Sequence, residues 1–188
     1  MRFRSRFGKY LTIGFGATLL LALLLSGLEF GLVGLLESSL LAVWLWLSCF
    51  LLLWRPSVEV TDRSVVLNNL LRRIEIPLGN IQRIDTKWAL EITTEQGRFV
   101  SFSAVAPGRH SSFTAARDDG SYLPETSYVA GTVRPGDLVT SDSGAVAYEI
   151  RRRLESENLV SGQIRKSLNG KSLILWLLLT AAVLILLF

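Results

Sequence analysis

Uninterrupted apolar runs lie at both ends of the chain, and shorter alternating patterns fill the space between them. Three runs contain no charged residue: Leu11–Leu28, Ser38–Trp54 and Leu173–Phe188, with 18, 17 and 16 residues. At about 1.5 Å per helical residue they reach roughly 24–27 Å, slightly less than a hydrocarbon core of about 30 Å. With flanking residues included, they predict transmembrane helices at about 11–28, 36–54 and 172–188. Because a short connection joins the first two, we expect an antiparallel helical hairpin.

Basic residues flank these runs on one side. Eight cations precede the first run, follow the second or precede the third: Arg2, Arg4, Arg6, Lys9, Arg55, Arg165, Lys166 and Lys171. The connection Glu29–Glu37 contains none. The positive-inside rule therefore predicts a multi-pass protein of the cell membrane, with the N-terminus and central region in the cytoplasm and the C-terminus outside. A cleaved signal peptide is the alternative for the first run, but no A-x-A cleavage site follows it.

The first half of the central region alternates between apolar and polar positions, as half-buried strands do. The apolar members of three such stretches are Val58 and Val60, Ile74 and Ile76, and Leu90 and Ile92. Short turns separate the stretches, so the pattern predicts about six antiparallel strands that close into a small barrel or sandwich. We expect the strands to include Ser57–Thr61, Ser64–Leu71 and Arg73–Pro77.

The second half of the central region has a different character. Residues 104–141 are rich in Gly, Pro, Ser, Thr and Asp and predict a long insertion. After it, Val146, Ile150 and Leu154 recur at every fourth position and predict an amphipathic helix over Ser143–Leu159, with Asp142 or Ser143 as its N-cap. The complete prediction is an α+β membrane protein. Its parts are a basic N-terminus and hairpin at 1–54, a domain at 55–161 with the insertion at 104–141, and a basic linker and C-terminal helix at 162–188.

Composition narrows the classes of function. Of the 188 residues, 49% are hydrophobic and 19% charged, which excludes a disordered chain. The net charge of +4 comes mostly from the residues that flank the membrane helices, so it does not indicate a nucleic-acid partner. With one cysteine, Cys49, and one histidine, His110, the chain offers no set of ligands for a metal or haem and no catalytic triad. We therefore expect no cofactor and no enzymatic activity.

Two groups of residues are candidates for contact with other molecules. Arg63, Arg72 and Arg73 lie at predicted strand ends near the exit from the membrane, where they could meet anionic headgroups or simply be solvated. Small residues allow close approach of helices. The glycines in question form one patch at Gly14 and Gly16 and another at Gly27, Gly31 and Gly34.

Several segments resemble a known bacterial family. They are Arg55-Pro56 after the second apolar run, the strand pair Val58–Arg73 and the stretch IEIPLGNIQRI at Ile74–Ile84. In these the chain is similar to small actinobacterial membrane proteins with a PH-like domain of the low-molecular-weight antigen type, over roughly Leu11–Phe102. The chain departs from that family at Leu78, where an aromatic residue often follows the proline, and in its long insertion and third membrane helix. The resemblance implies a PH-like small barrel capped by a C-terminal helix, with no catalytic residues.

Three functions follow from these patterns. The first is a non-catalytic accessory or structural subunit that binds other membrane protein subunits. Resemblance to accessory subunits of similar build makes the actinobacterial cytochrome bcc–aa3 respiratory supercomplex a candidate partner. The second is a protein that binds or senses anionic membrane lipids. The third is an enzyme or transporter component, which the absence of ionisable residues from the membrane segments disfavours.

Overall fold

Apolar helices lie toward the two ends of the chain, and most of the strands lie between them. The computed structural model describes residues 1–106, 128–129, 132–133, 135–155 and 159–187. The helices in these parts are α1 (Arg6–Cys49), α2 (Asp142–Leu154) and α3 (Gly170–Leu187). The strands are β1 (Arg2–Phe3), β2 (Ser57–Val60), β3 (Ser64–Asn68), β4 (Arg72–Pro77), β5 (Arg83–Asp85), β6 (Ala89–Thr94), β7 (Gly97–Val105), β8 (Tyr128–Val129), β9 (Thr132–Val133) and β10 (Arg165–Leu168).

Helix α1 folds back on itself near its middle. Gly31 has φ 67° and ψ −156°, values outside the helical region that a residue without a Cβ adopts easily. Contacts then join positions on the two sides of this glycine in antiparallel order. Ser26 Oγ donates to Gly34 O at 3.2 Å, and Cys49 Sγ lies 3.8 Å from Thr12 Oγ1. A π-helical turn, Phe50–Trp54, continues the second half to its end.

By length and composition, Arg6–Trp54 is the one helix among the described residues that is long and apolar enough to cross a membrane. Its most apolar window has a mean hydropathy of 2.3, and none of that window is buried. A shorter apolar stretch, Leu173–Ile185, lies within α3.

The described strands form two main antiparallel sheets and a separate two-stranded ladder of β8 and β9, and they do not close into the predicted barrel. The larger sheet has the order β1-β2-β3-β4-β10 and the smaller one the order β5-β6-β7. The turn Leu78–Asn80 separates β4 from β5, and β10 takes the edge of β4 where a barrel would continue. A closed barrel would require pairing between the two sheets, and no such pairing is present in the described residues.

The core lies between these sheets and beneath α2. The alternating residues singled out in the sequence, among them Val58, Ile76 and Ile92, are fully buried there. Helix α2 packs against β2, β6 and β7 and inserts Val146 and Ile150 into the same cluster. The predicted amphipathic helix therefore covers one opening of the sheets.

Helix α2 differs from the prediction at both ends. It is capped by Ser141, whose Oγ accepts from Gly144 N at 2.9 Å, and not by Asp142 or Ser143. It ends at Leu154 rather than Leu159, and Leu159 and Val160 are exposed in an extended segment. The spacing of apolar residues indicates which face of a helix is buried, but it does not indicate the residue at which the helical hydrogen bonds end. Of the predicted insertion, 107–127 lie outside the described residues, and β8 pairs with β9 in a two-residue ladder.

Two strands at the edges of the larger sheet were not predicted from the sequence. Strand β1 pairs with β2, and the amino group of Met1 donates to Val60 O at 2.6 Å. Strand β10 pairs with β4 over four residues. The sheet thus extends beyond both predicted domain limits, 55 and 161. Because β1 leads directly into α1 and β10 into α3, the sheet is joined to both apolar helices by hydrogen-bonded strands.

Candidate functional site at the helix-proximal end of the sheet

The residues most available for contact with other molecules lie at the end of the larger sheet nearest the apolar helices. Here α1 passes into β2 at Ser57, β10 passes into α3 after Leu168, and β3 connects to β4. We call the connection, residues 69–71, the base loop. Two of its residues are leucines, and Leu71 is 46% exposed.

The base loop is held by asparagine side chains. Asn69 Nδ2 donates to Val100 O at 2.7 Å, and Asn69 Oδ1 accepts from Phe102 N at 3.0 Å, so the loop is fixed to β7. From the other side, Asn169 Nδ2 donates to Asn69 O at 2.7 Å, and Asn169 N donates to Leu71 O at 2.9 Å. Amide side chains suit this task because they donate and accept at once. The loop position is therefore built by three separate segments of the chain.

A mostly apolar cavity of about 240 Å³ lies between the base loop and the helices. Leu51 and Leu52 of the π-helical turn form one wall, and Leu173 of α3 forms another. Its lining is completed by Ser48, Leu70, Leu71 and Trp176. The cavity thus opens where the apolar helices end and the sheet begins.

The two apolar helices are joined beside this cavity. Trp176 Nε1 donates to Ser48 Oγ at 2.8 Å, and Trp44 Nε1 donates to Thr180 Oγ1 at 2.8 Å. The two indole rings stack with centroids 6.3 Å apart. Trp44, which lies deep in the second apolar run, therefore finds its partner within the same chain. Such bonds between helices contribute about 0.6 kcal/mol on average and at most about 1.7 kcal/mol.

The structure separates the three predicted headgroup residues. Arg72 and Arg73 begin β4 and pair with Leu168 and Ser167 at the helix-proximal end. Arg63 lies in the turn between β2 and β3, at the opposite end of the same strands. At about 3.3 Å per strand residue, the length of β3 alone is on the order of 13 Å. All three arginines are exposed and make no ion pair with the part of the chain that the structure describes. Proximity in sequence to the second apolar run was not sufficient to place Arg63 near the helices.

Of the five predicted helix-packing glycines, three pack within the chain and two, Gly14 and Gly31, do not. A Cβ at Gly16 would lie 2.7 Å from Trp46 Nε1, and one at Gly27 would lie 2.8 Å from Leu35 Cδ1. Gly34 lies against Phe30, and Gly31 supplies the reversal. Gly14 is exposed, and a Cβ there would meet no atom of the described chain within 4 Å.

Sequence reasoning missed a very close contact between the two halves of the hairpin. Gly8 is buried, and a Cβ there would collide with the carbonyl oxygen of Leu53. This glycine precedes the uncharged run and lies between Arg6 and Lys9, outside the two glycine patches that the sequence predicts. The base loop was likewise assigned to a strand, because two leucines after a strand pattern extend the apolar run. An asparagine before them was the available signal for a turn.

The described residues offer little for catalysis. They contain no group of three or more His, Cys, Asp or Glu side chains that could hold a metal ion. His110 lies outside the described residues. Asp137, in the turn Pro135–Asp137, is buried and structural: it accepts from Thr86 Oγ1 at 2.5 Å and pairs with Arg151 at 3.5 Å.

Among known protein families, one matches the central part of the chain. Residues 55–124 match the family model of the bacterial PH domain. This supports a PH-like domain, and with it a generally non-catalytic interaction module, over these residues. No curated protein and no solved structure matches the chain. The match supports the predicted PH-like resemblance and leaves the narrower antigen-type family without support.

Proposed function

We propose that the chain is a membrane-anchored PH-like interaction module and serves as an accessory subunit of a larger bacterial membrane protein complex. In this proposal the two halves of α1 form a transmembrane hairpin, and α3 forms a third span of about 27 Å. The positive flanks place the sheets in the cytoplasm and the end of α3 outside. The module acts by contact, with no cofactor and no reaction of its own.

The observation that carries this proposal is the exposed apolar surface of the helices. Side chains such as Leu28, Leu32 and Ile185 are 84%, 73% and 80% exposed. Monomeric soluble proteins rarely leave contiguous apolar patches of such extent uncovered, so lipid or protein must cover them. Outside the reversal at Gly31, both segments are α-helical and so bond their backbone groups within the helix, as a bilayer requires.

The attachment of the sheet favours a docking module over a loosely tethered one. Strands β1 and β10 connect the helices to opposite edges of one sheet, so the PH-like domain is held at a fixed orientation above the bilayer. If Gly14 packs against a helix, as predicted, that helix belongs to another chain, because a Cβ at Gly14 would meet no described atom of this chain. The cytochrome bcc–aa3 supercomplex is a candidate for the partner on the resemblance alone.

Co-migration in native gels tests the accessory-subunit proposal. Native membranes are solubilised in mild detergent, and the chain carries its tag at the C-terminus because the Met1 amino group is bonded within the sheet. We expect a band far larger than 20.9 kDa that contains other membrane proteins. Haem absorbance in that band would identify the cytochrome candidate. Recovery solely as a monomer or homo-oligomer would contradict the proposal.

A second candidate function, contact with anionic lipid, is favoured by the base loop. Leu70 and Leu71 reach the level where the helices emerge, and Arg72 and Arg73 follow them directly. Apolar side chains at acyl depth beside cations at headgroup depth are typical of a membrane-surface contact. This function is tested on the full chain in vesicles, because the isolated region 55–161 would lack β1 and β10. In the full chain we expect the base loop to face the bilayer.

A further inference from the structure

We infer that the cavity between the base loop and the helices holds one acyl chain of an anionic phospholipid from the surrounding bilayer, whose headgroup meets Arg72 and Arg73. The inference rests on the proposed membrane anchoring and adds a specific lipid site to it. It does not depend on whether the chain has a protein partner.

The lining of the cavity selects an aliphatic occupant. Six of its seven residues are Leu or Trp, and the Ser48 hydroxyl is already engaged with Trp44 O and Trp176 Nε1. A volume of about 240 Å³ corresponds to about eight water-sized groups at roughly 30 Å³ each. That is enough for a stretch of one acyl chain and too little for a whole lipid.

The position of the cavity selects a bilayer lipid as the source of that chain. Its walls come from the last turns of α1 and the first turns of α3, so in the proposed topology it opens at the inner boundary of the hydrocarbon core. A lipid of that leaflet reaches it without leaving the bilayer. Its headgroup then lies at the level of β4, where Arg72 and Arg73 are exposed and without ion pairs among the described residues.

Charge and preorganisation complete the site. Arg72 follows the lining residue Leu71 directly and Arg73 comes next, so their long side chains leave opposite faces of β4 at the same end of the sheet. A phosphate at that level would supply the anion that the described chain does not. The base loop is fixed by hydrogen bonds from Asn69 and Asn169, so the wall of the cavity exists before the lipid arrives. A preorganised wall lowers the ordering cost of binding.

Photo-crosslinking on the purified full chain in nanodiscs tests this inference without any partner protein. The probe is phosphatidylglycerol with a diazirine on one acyl chain, in a phosphatidylcholine bilayer. We expect labelling concentrated on peptides that contain Leu51, Leu70 and Leu173. Unlabelled phosphatidylglycerol should compete with the probe, and phosphatidylcholine of the same chain length should not. This competition is measured on the unmodified sequence and does not depend on the folding of a variant.

Matched variants locate the site. Leu70→Trp fills the cavity and should lower the labelling at least about tenfold, whereas Leu178→Trp makes the same change at an exposed position of α3 outside the cavity and should leave it unchanged. Arg72→Gln and Arg73→Gln should each weaken competition by phosphatidylglycerol about fivefold. Arg63→Gln removes the same charge at the far end of the sheet and should have no effect.

Three results would overturn the inference. One is labelling spread evenly over the exposed faces of α1 and α3 and insensitive to Leu70→Trp. Another is equal competition by phosphatidylcholine of the same chain length, which would remove the role of the anionic headgroup. The third is crosslinking of the same peptides to a second copy of the chain, which would make the cavity a contact between copies. Co-migration with a larger complex could succeed or fail in each of these cases, so the two proposals fail separately.

Discussion

Two glycines of α1, six residues apart, meet opposite surroundings. Gly8 is pressed against the carbonyl of Leu53, whereas a side chain at Gly14 would point into open space. Backbone approach this close is possible solely without a Cβ, which makes Gly8 the residue that sets the spacing of the two halves of α1.

The two glycines give a paired prediction. Gly8→Ala forces the halves of α1 apart and should lower the free energy of unfolding by about 1–3 kcal/mol, the usual cost of overpacking. Gly14→Ala should leave stability unchanged or raise it by up to about 1 kcal/mol, because alanine favours the helix. Thermal unfolding of the full chain in detergent measures both. Equal effects of the two changes would show that the contact at Gly8 does not hold the helices.

The buried carboxylate of Asp137 is a second residue whose removal should be costly. It is 5% exposed and receives a hydrogen bond from Thr86, itself 1% exposed. Asp137→Ala leaves the Thr86 hydroxyl and the Arg151 guanidinium without this partner, so we expect a loss of about 2–4 kcal/mol of stability.

Asp62→Ala is the matched control for this change. Asp62 also pairs with an arginine of α2, Arg153, at 3.3 Å, but its side chain is 98% exposed. Exposed pairs of this kind contribute little, so the unfolding temperature should not change measurably. If Asp62→Ala lost as much stability as Asp137→Ala, burial would not be the reason for the structural role of Asp137.

At the level of elements, strand β10 links the sheet to α3, and its hydrogen bonds alternate along the strand. Asn169 N donates to Leu71 O, so in the antiparallel register the next bonded pair is Ser167 with Arg73. Leu168, between them, directs its N–H away from β4. A proline at 167 should break the ladder, whereas a proline at 168 removes no bond to β4.

We therefore expect Ser167→Pro to release β10 and Leu168→Pro to leave it paired. The readout is hydrogen exchange of the β4 amides in the full chain, which should quicken in Ser167→Pro and stay close to the unmodified value in Leu168→Pro. If both variants exchange alike, β10 does not contribute to holding α3 on the sheet.

The elements that sequence could predict are those whose residues alternate by burial. Val58, Ile76 and Ile92 indicate their faces because one side of each strand meets the core. Strands β1 and β10 have no such signature: Arg165, Lys166 and Ser167 are exposed, as edge strands commonly are, and their charges were interpreted as topology signals. Their pairing is a long-range contact, and no local pattern encodes which edge a short basic strand will join.

The same distinction applies to the candidate site. That Arg72 and Arg73 lie near the helices could be predicted from their place in the chain, but the cavity could not. Its walls come from α1, the base loop and α3, which are brought together by the Asn69 and Asn169 side chains rather than by any local motif. The separation of Arg63 likewise follows from the register of β3 with β4, which turns the β2–β3 connection away from the helices.

At the scale of the whole molecule, the connections of the helices to β1, β2 and β10 of one sheet constrain how the domain sits on the helices. In the proposed topology, the turn at Asp62 and Arg63 faces the cytoplasm and the base loop faces the bilayer. A single tether would allow the domain to tumble, whereas two strands at opposite edges fix one orientation. The orientation of the domain can therefore be measured at the turn at Asp62 and at the base loop.

Cysteine labelling tests both topology and orientation, because Cys49 is the sole cysteine of the sequence. In a Cys49→Ser background, Asp62→Cys should react with a membrane-impermeant maleimide in inverted vesicles and not in intact cells. Leu71→Cys should react from the same side but more slowly, since the base loop lies against the bilayer, and both should react equally after denaturation. Labelling of Asp62→Cys in intact cells would invert the topology. Equal labelling rates at the two positions in inverted vesicles would be consistent with the predicted topology. They would contradict the proposal that the base loop lies against the bilayer.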